Sequence, residues 1–216
     1  PEYAEAYYVL GQVALEERDF PNAYKLFKKT VSLDPEHLDA RINLGRILIG
    51  AREPLKAEEQ IEYILAKDPE NIPAQLLKAS VFLLNKENDD ARVLLEKLIK
   101  KGQAQPEIYL MLASVAVQKK DRDSFRQYIR KGFEKNPEHI GLLLRMAGIE
   151  MEAKNYKRAE DLFNKAISLE PESIGHKLNM AKAYLVQQKN REAAEFLSSV
   201  ADTLVADEKK LLTIAR

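Results

Sequence analysis

The chain of 216 residues carries 34 Lys and Arg against 34 Asp and Glu, so its formal net charge is zero, and 45% of its residues are hydrophobic. This balance argues against a nucleic-acid partner, because a phosphate backbone is usually met by a clearly basic domain. Cysteine is absent, which removes disulfides, thiolate metal sites and a cysteine nucleophile while fitting the cytoplasm and the bacterial periplasm alike.

Ala, Leu, Glu, Lys and Arg dominate, and these residues favour helix. No apolar run is long enough to span a bilayer, so no membrane insertion is expected of this segment. Pro1, Pro35, Pro69, Pro137 and Pro171 fall on one 34-residue ladder, whose other rungs are Gln103 and Val205. Counting residue 4 as position 1 gives six repeats, 4–37, 38–71, 72–105, 106–139, 140–173 and 174–207, within a single array over 1–216. Each repeat predicts a first helix over positions 2–14 and a second over positions 18–30, and proline at position 32 ends the second.

In chain order, repeat 1 predicts helices over 5–17 and 21–33 across the polar turn Arg18-Asp19, and repeat 2 over 39–51 and 55–67. Repeat 3 predicts 73–85 and 89–101, with Lys78 at an otherwise apolar position. Repeat 4 predicts 107–119 and 123–135 across Lys120-Asp121, with Phe125 where the others carry alanine, so its helices must pack wider or rotate. Repeat 5 predicts 141–153 and 157–169, with Glu150 at another apolar position, and repeat 6 predicts 175–187 and 191–203. Two readings stand for Lys78 and Glu150: charged tips reaching solvent, or a buried ion pair that fixes repeat geometry. Residues 208–216 continue the phase with Leu211, Leu212, Ile214 and Ala215, as the start of a seventh repeat or a capping helix. The expectation is a slice of a longer array, with Phe196 and Val200 uncovered and end-to-end self-association as a consequence.

Position 8 is always small: Gly11, Gly45, Ala79, Ala113, Ala147, Ala181. Position 20 is alanine apart from Phe125, and position 24 is bulky: Phe27, Ile61, Leu95, Ile129, Phe163, Leu197. This pattern resembles the tetratricopeptide-repeat (TPR) family over residues 4–207. The resemblance implies an all-α fold, an α-solenoid of antiparallel helix pairs wound as a right-handed superhelix. It implies a protein-interaction scaffold similar to bacterial ones, not an enzyme, with first helices lining a concave groove.

Positions 5, 9 and 12 share one face of the first helix. Position 5 reads Tyr8, Ile42, Leu76, Leu110, Leu144, Leu178, and position 12 is apolar throughout. Position 9 reads Gln12, Arg46, Ser80, Ser114, Gly148, Lys182. Either neighbouring repeats cover the apolar rows, or they wall a groove for a partner's extended segment or amphipathic helix. Asn43 and Asn179 at position 6 adjoin this face. The family's clamp for chaperone tails requires Lys and Asn where this chain has Tyr8 and Gln12, and Lys and Arg where it has Pro73 and Leu77. Only Asn43 fits, so that specialisation is rejected.

No cofactor or metal is expected. His37 and His139 lie three repeats apart and His176 stands alone, so all three read as solvated loop histidines. Carboxylate pairs such as Glu58-Glu59 and Asp89-Asp90 read as solvated helix faces rather than acid–base dyads. Arg122, Arg126 and Arg130 form a stripe that is either a solvated face or a second surface for an acidic partner. The strict period and the neutral charge argue against RNA-reading helical repeats. Two alternatives to the scaffold remain: a structural spacer or self-assembly module, and the recruiting arm of an enzyme whose catalytic domain lies elsewhere.

Overall fold

The structure, a computed structural model, describes residues 3–201. Among them lie eleven complete α-helices and no strand. They are α1 (Ala4–Glu16), α2 (Phe20–Leu33), α3 (Leu38–Gly50), α4 (Pro54–Lys67), α5 (Ile72–Leu84), α6 (Asn88–Lys100), α7 (Pro106–Gln118), α8 (Arg122–Lys135), α9 (Ile140–Glu152), α10 (Tyr156–Leu169) and α11 (Ile174–Val186). A twelfth helical stretch begins at residue 190 and is described to residue 201. The proposed seventh-repeat residues, 208–216, lie outside the described residues.

First helices start at residues 4, 38, 72, 106, 140 and 174, so the 34-residue period of the sequence is the period of the backbone. Every helix begins one residue earlier than its pattern predicted, and each first helix also ends one residue earlier. The early ends have one cause. Position 15 is left-handed in all six repeats: Arg18, Arg52, Lys86, Lys120, Lys154 and Gln188 have φ between 58° and 64°. The backbone then closes back on the helix, as where the Asp19 N–H donates to the Ala14 carbonyl at 2.8 Å. This is the geometry that glycine usually provides at a helix C-terminus, here held by long polar side chains. Second helices open on side-chain caps in part. Asp19 accepts from the Asn22 N–H at 3.2 Å, and Pro21 and Pro54 sit in first turns that need no donor.

The described chain divides into two compact units, one of residues up to Gln103 with Ser114–Asp121, the other of Ala104–Ala113 with residues from Arg122 onward. In the first unit, small residues set the helix spacing. A Cβ on Gly11 would fall 2.6 Å from the Phe27 ring, and one on Gly45 would fall 3.0 Å from Leu77. Ala23, Ala57 and Ala91 are fully buried, as are Phe27, Ile64 and Leu95. Each such aliphatic or aromatic side chain stabilises the fold by roughly 1.5–3 kcal/mol through burial. Ion pairs join successive repeats at the surface: Glu36 with Lys67, and Glu70 with Lys101. Arg41 is buried, donating to the Pro35 carbonyl at 2.9 Å and to Gln60 at 2.8 Å, with its guanidinium 3.5 Å from the Tyr63 ring centre. Lys78 is half-buried, its ammonium 5.9 Å from the Phe82 ring centre, so it reaches solvent without a buried carboxylate partner.

In the second unit, Phe125 stands half-buried at the position of the usual small residue, and a tight contact lies two turns further along α8. There, a Cβ on Gly132 would lie 2.7 Å from the Tyr109 Cβ and 2.9 Å from Leu142. Helix α8 thus has no room for a side chain at its glycine. Glu150 matches neither reading in full. The residue is 4% exposed, accepts from Asn155 at 2.7 Å and pairs at 3.3 Å with Arg158, whose side chain is itself 62% exposed, so a buried carboxylate meets a solvated guanidinium. Val200 is buried and Phe196 is half-buried with its ring edge against Tyr184, so neither is uncovered as the sequence suggested. The Phe196 ring turns toward α11, which the helical period alone does not reveal.

Candidate functional site

First-helix residues divide sharply by position. Position 8 is buried in every repeat, whereas position 9 is exposed at Gln12, Arg46, Ser114, Gly148 and Lys182. Adjacent residues on a helix point about 100° apart, so the packed face and the open face meet along this line. Position 5 stands at the boundary.

In the first unit, Tyr8 is half-buried. Its ring lies 5.8 Å from Phe27 and 4.5 Å from His37, and its hydroxyl accepts from Gln12 at 3.1 Å. Burial and the nearby Asp39 charge hold this phenol above its ordinary pKa, partly offset by a hydrogen bond with Asn43. Ile42 and Asn43 are buried, at 7% and 8% exposure, so Ile42 serves the core and Asn43 presents only an edge. Leu76 and Ser80 are half-buried, and the Ser80 hydroxyl is spent on the Leu76 carbonyl at 3.0 Å. Arg46 and Ser114 are open.

The second unit contributes Leu110 and Leu144, both half-buried, and Leu178, which is exposed. Asn179 is half-buried, and Lys182 is exposed. No atom lies within 4 Å of a Cβ built on Gly148, so packing does not explain this glycine, which instead leaves space on the open face.

A feature that the sequence reading missed is an apolar cavity of about 520 Å³ in the first unit. Leu15, Phe20, Ile47, Gly50 and Ala51 line it together with Asn43 and Arg46. Its signals in the sequence were Gly50, which no packing contact requires, and Phe20, an aromatic where other second helices start with a polar residue, a proline or tyrosine.

The histidines are not solvated loop residues. The imidazole of His37 accepts from the Ala40 N–H at 3.2 Å and caps α3, and His176 is buried with its ring 2.7 Å from Glu170. His139 stands half-buried before α9. They sit at or just inside the starts of first helices, where tight turns bury a ring that composition alone leaves exposed. Among the described residues, no group of three or more His, Cys, Asp or Glu could hold a metal ion, and no helix is long and apolar enough to cross a membrane. In the arginine stripe, Arg126 is engaged with Glu152 at 2.9 Å, whereas Arg122 and Arg130 are exposed.

One family model described as tetratricopeptide repeat matches residues 14–81, 48–115 and 150–209, and a second, described in the same words, matches 106–139. A search of curated proteins finds no match. Among solved structures, the chain is similar to yeast Tom70, at 22% identity and a TM-score of 0.74 over 98% of this chain and 45% of that one. It is also similar to a thermophilic TPR protein of Thermus thermophilus, at 14% identity and a TM-score of 0.71 over 85% of this chain and 100% of that one. A structure of Pseudomonas aeruginosa pilF has 20% identity and a TM-score of 0.68 over 89% and 88% of the two chains.

Proposed function

Because this chain belongs to the tetratricopeptide-repeat family, we propose that the open first-helix face of each unit holds a segment of a partner protein. Repeats of this family are generally non-catalytic protein-binding scaffolds. The observation that carries the reading is the exposure pattern. A strip of small or polar residues at position 9 runs beside apolar side chains at position 5 that are half-buried, apart from the buried Ile42 and the exposed Leu178. Gly148 sharpens it, since a glycine within a helix costs about 1 kcal/mol relative to alanine and here secures no contact inside the chain. A row of apolar edges flanking open backbone suits an extended segment or one face of a helix.

Photo-crosslinking tests this directly. A photoreactive amino acid at Gly148 is expected to trap a partner in the native cell that the same probe at the exposed outer residue Lys157 does not. Leu110→Glu with Leu144→Glu should weaken that capture at least ten-fold while far-ultraviolet circular dichroism stays helical. Equal capture from both probe sites, or capture indifferent to the two glutamates, refutes the reading.

The first unit favours a second use. Leu10 and Val13 lie three residues apart on α1 and are 53% and 44% exposed, and Tyr3 just before the helix is 67% exposed, although position 7 is buried in repeats 2, 4, 5 and 6. This apolar face suits a second copy of the chain. Sedimentation should show concentration-dependent association that Leu10→Lys abolishes, and a monomer at every concentration sinks it.

A further inference from the structure

We infer that the cavity between α1 and α3 is an anchor site for a bulky apolar side chain whose neighbour within one helical turn carries a carboxylate. The inference rests on the scaffold reading above and names the partner chemistry for the first unit. The repeats act as each other's controls. At the next junction, Leu77 stands where repeat 2 has Asn43, and Leu84 stands where it has Gly50. Leu77 is 7% exposed and belongs to its own core, while Leu84 is 36% exposed, so the next repeat carries two leucines where repeat 2 has a buried amide and no side chain. Gly50 is not there to relieve crowding, since no atom lies within 4 Å of a Cβ built on it. Nor does it serve the backbone, since among the described residues the one glycine with positive φ is Gly102. Repeat 2 therefore leaves open space at two positions where its neighbour carries leucine.

The walls decide the occupant. Leu15, Phe20 and Ile47 present hydrocarbon, and Phe20 is 53% exposed, an aromatic surface with nothing over it. A cavity of about 520 Å³ takes a leucine, methionine or phenylalanine side chain together with the adjoining turn of its backbone. Water leaves such a surface readily, and a buried apolar anchor of this kind dominates many interfaces. Arg46 is the only charged residue among the lining residues, and it stands one turn before Gly50 on the same helix. Among the described residues it forms no ion pair, so its planar guanidinium is available for two-point pairing with a carboxylate. Repeats 1 and 2 each carry a net charge of −2, which draws in basic partners at long range. At the cavity itself, Arg46 reverses that preference.

A library of random 12-residue peptides displayed on phage, panned against the full chain, tests the chemistry. Enriched peptides are then made with a fluorescent label and measured by fluorescence polarisation. The expected motif is one bulky apolar residue with Asp or Glu within four positions. Gly50→Leu, whose Cβ meets no atom within 4 Å, should weaken these peptides at least ten-fold without lowering the melting temperature. Arg46→Glu should weaken them similarly and recover binding when lysine replaces the peptide's carboxylate residue. Enrichment of basic peptides, or no enrichment of the motif, overturns the inference. Peptides that ignore Gly50→Leu but lose binding to Leu110→Glu with Leu144→Glu sink the anchor site alone. Peptides indifferent to every variant sink the anchor site and the scaffold face together.

Discussion

Gly132→Ala and Gly148→Ala are the same chemical change at two helix positions, and the structure assigns them opposite signs. In α8, the new methyl on Gly132 arrives 2.7 Å from the Tyr109 Cβ and 2.9 Å from Leu142. Tyr109 is 4% exposed, and its Cβ is fixed to the backbone, so rotating the ring gives no relief. The helices must separate by about 1 Å, and overpacking of this kind costs about 1–3 kcal/mol. The gain in helix propensity returns about 1 kcal/mol, leaving a loss near 2 kcal/mol if the cost falls at the upper end. In α9, a methyl on Gly148 meets nothing within 4 Å, so only the gain remains. For a chain of this size, about 1 kcal/mol moves the melting temperature by about 2–4 °C. Thermal unfolding followed by circular dichroism should show Gly132→Ala melting roughly 4–8 °C lower and Gly148→Ala roughly 2–4 °C higher than the parent. Shifts in the same direction would refute the account of α8 as tightly packed at its glycine.

Lys86→Gly should raise the melting temperature, since Lys86 holds φ at 64° and glycine removes most of a strain of about 1 kcal/mol; a fall would show the turn is not strained. Glu150→Leu returns an apolar side chain to a site 4% exposed and leaves only the solvated Arg158 without its carboxylate, so it should be close to neutral, whereas Glu150→Ala should destabilise. Denaturant titration separates the two, and equal losses would contradict the burial of this side chain. Burial pushes the Glu160 carboxyl up, but hydrogen bonds from Lys189 and Gln187 outweigh it and hold the group below its ordinary 4.5. A carboxylate depressed in the folded state contributes stability that is present above its unfolded value and lost as pH falls through the folded one. Glu160→Gln should therefore flatten the loss of stability on acidification below about pH 4.5, and an unchanged acid slope would exclude this pair as its source.

The period, the helix pairs and the buried rows at positions 8, 20 and 24 were legible in the residues, because each repeat states the same pattern again and a helix face needs only spacing to be read. Exceptions to that pattern were legible as exceptions but not in their outcome. Phe125 announced a repacked repeat, yet only the packing showed Gly132 as a tight contact, since the two are a full seven residues apart on α8. Glu150 announced a charge in an apolar row, and only the fold brought Arg158 and Asn155 to it. The candidate face was visible as two rows of residue types. Its usable depth was not, because exposure depends on what the neighbouring repeat lays across each side chain: Ile42 vanished into the core while Leu178 stayed open. Gly50 and Phe20 were the sequence's only signals of the cavity beside Arg46, and the packing decided that it exists. It is an absence, lined by Asn43 and Gly50 at positions where the next repeat carries Leu77 and Leu84, and a string of residues records what is present more readily than the space left between helices.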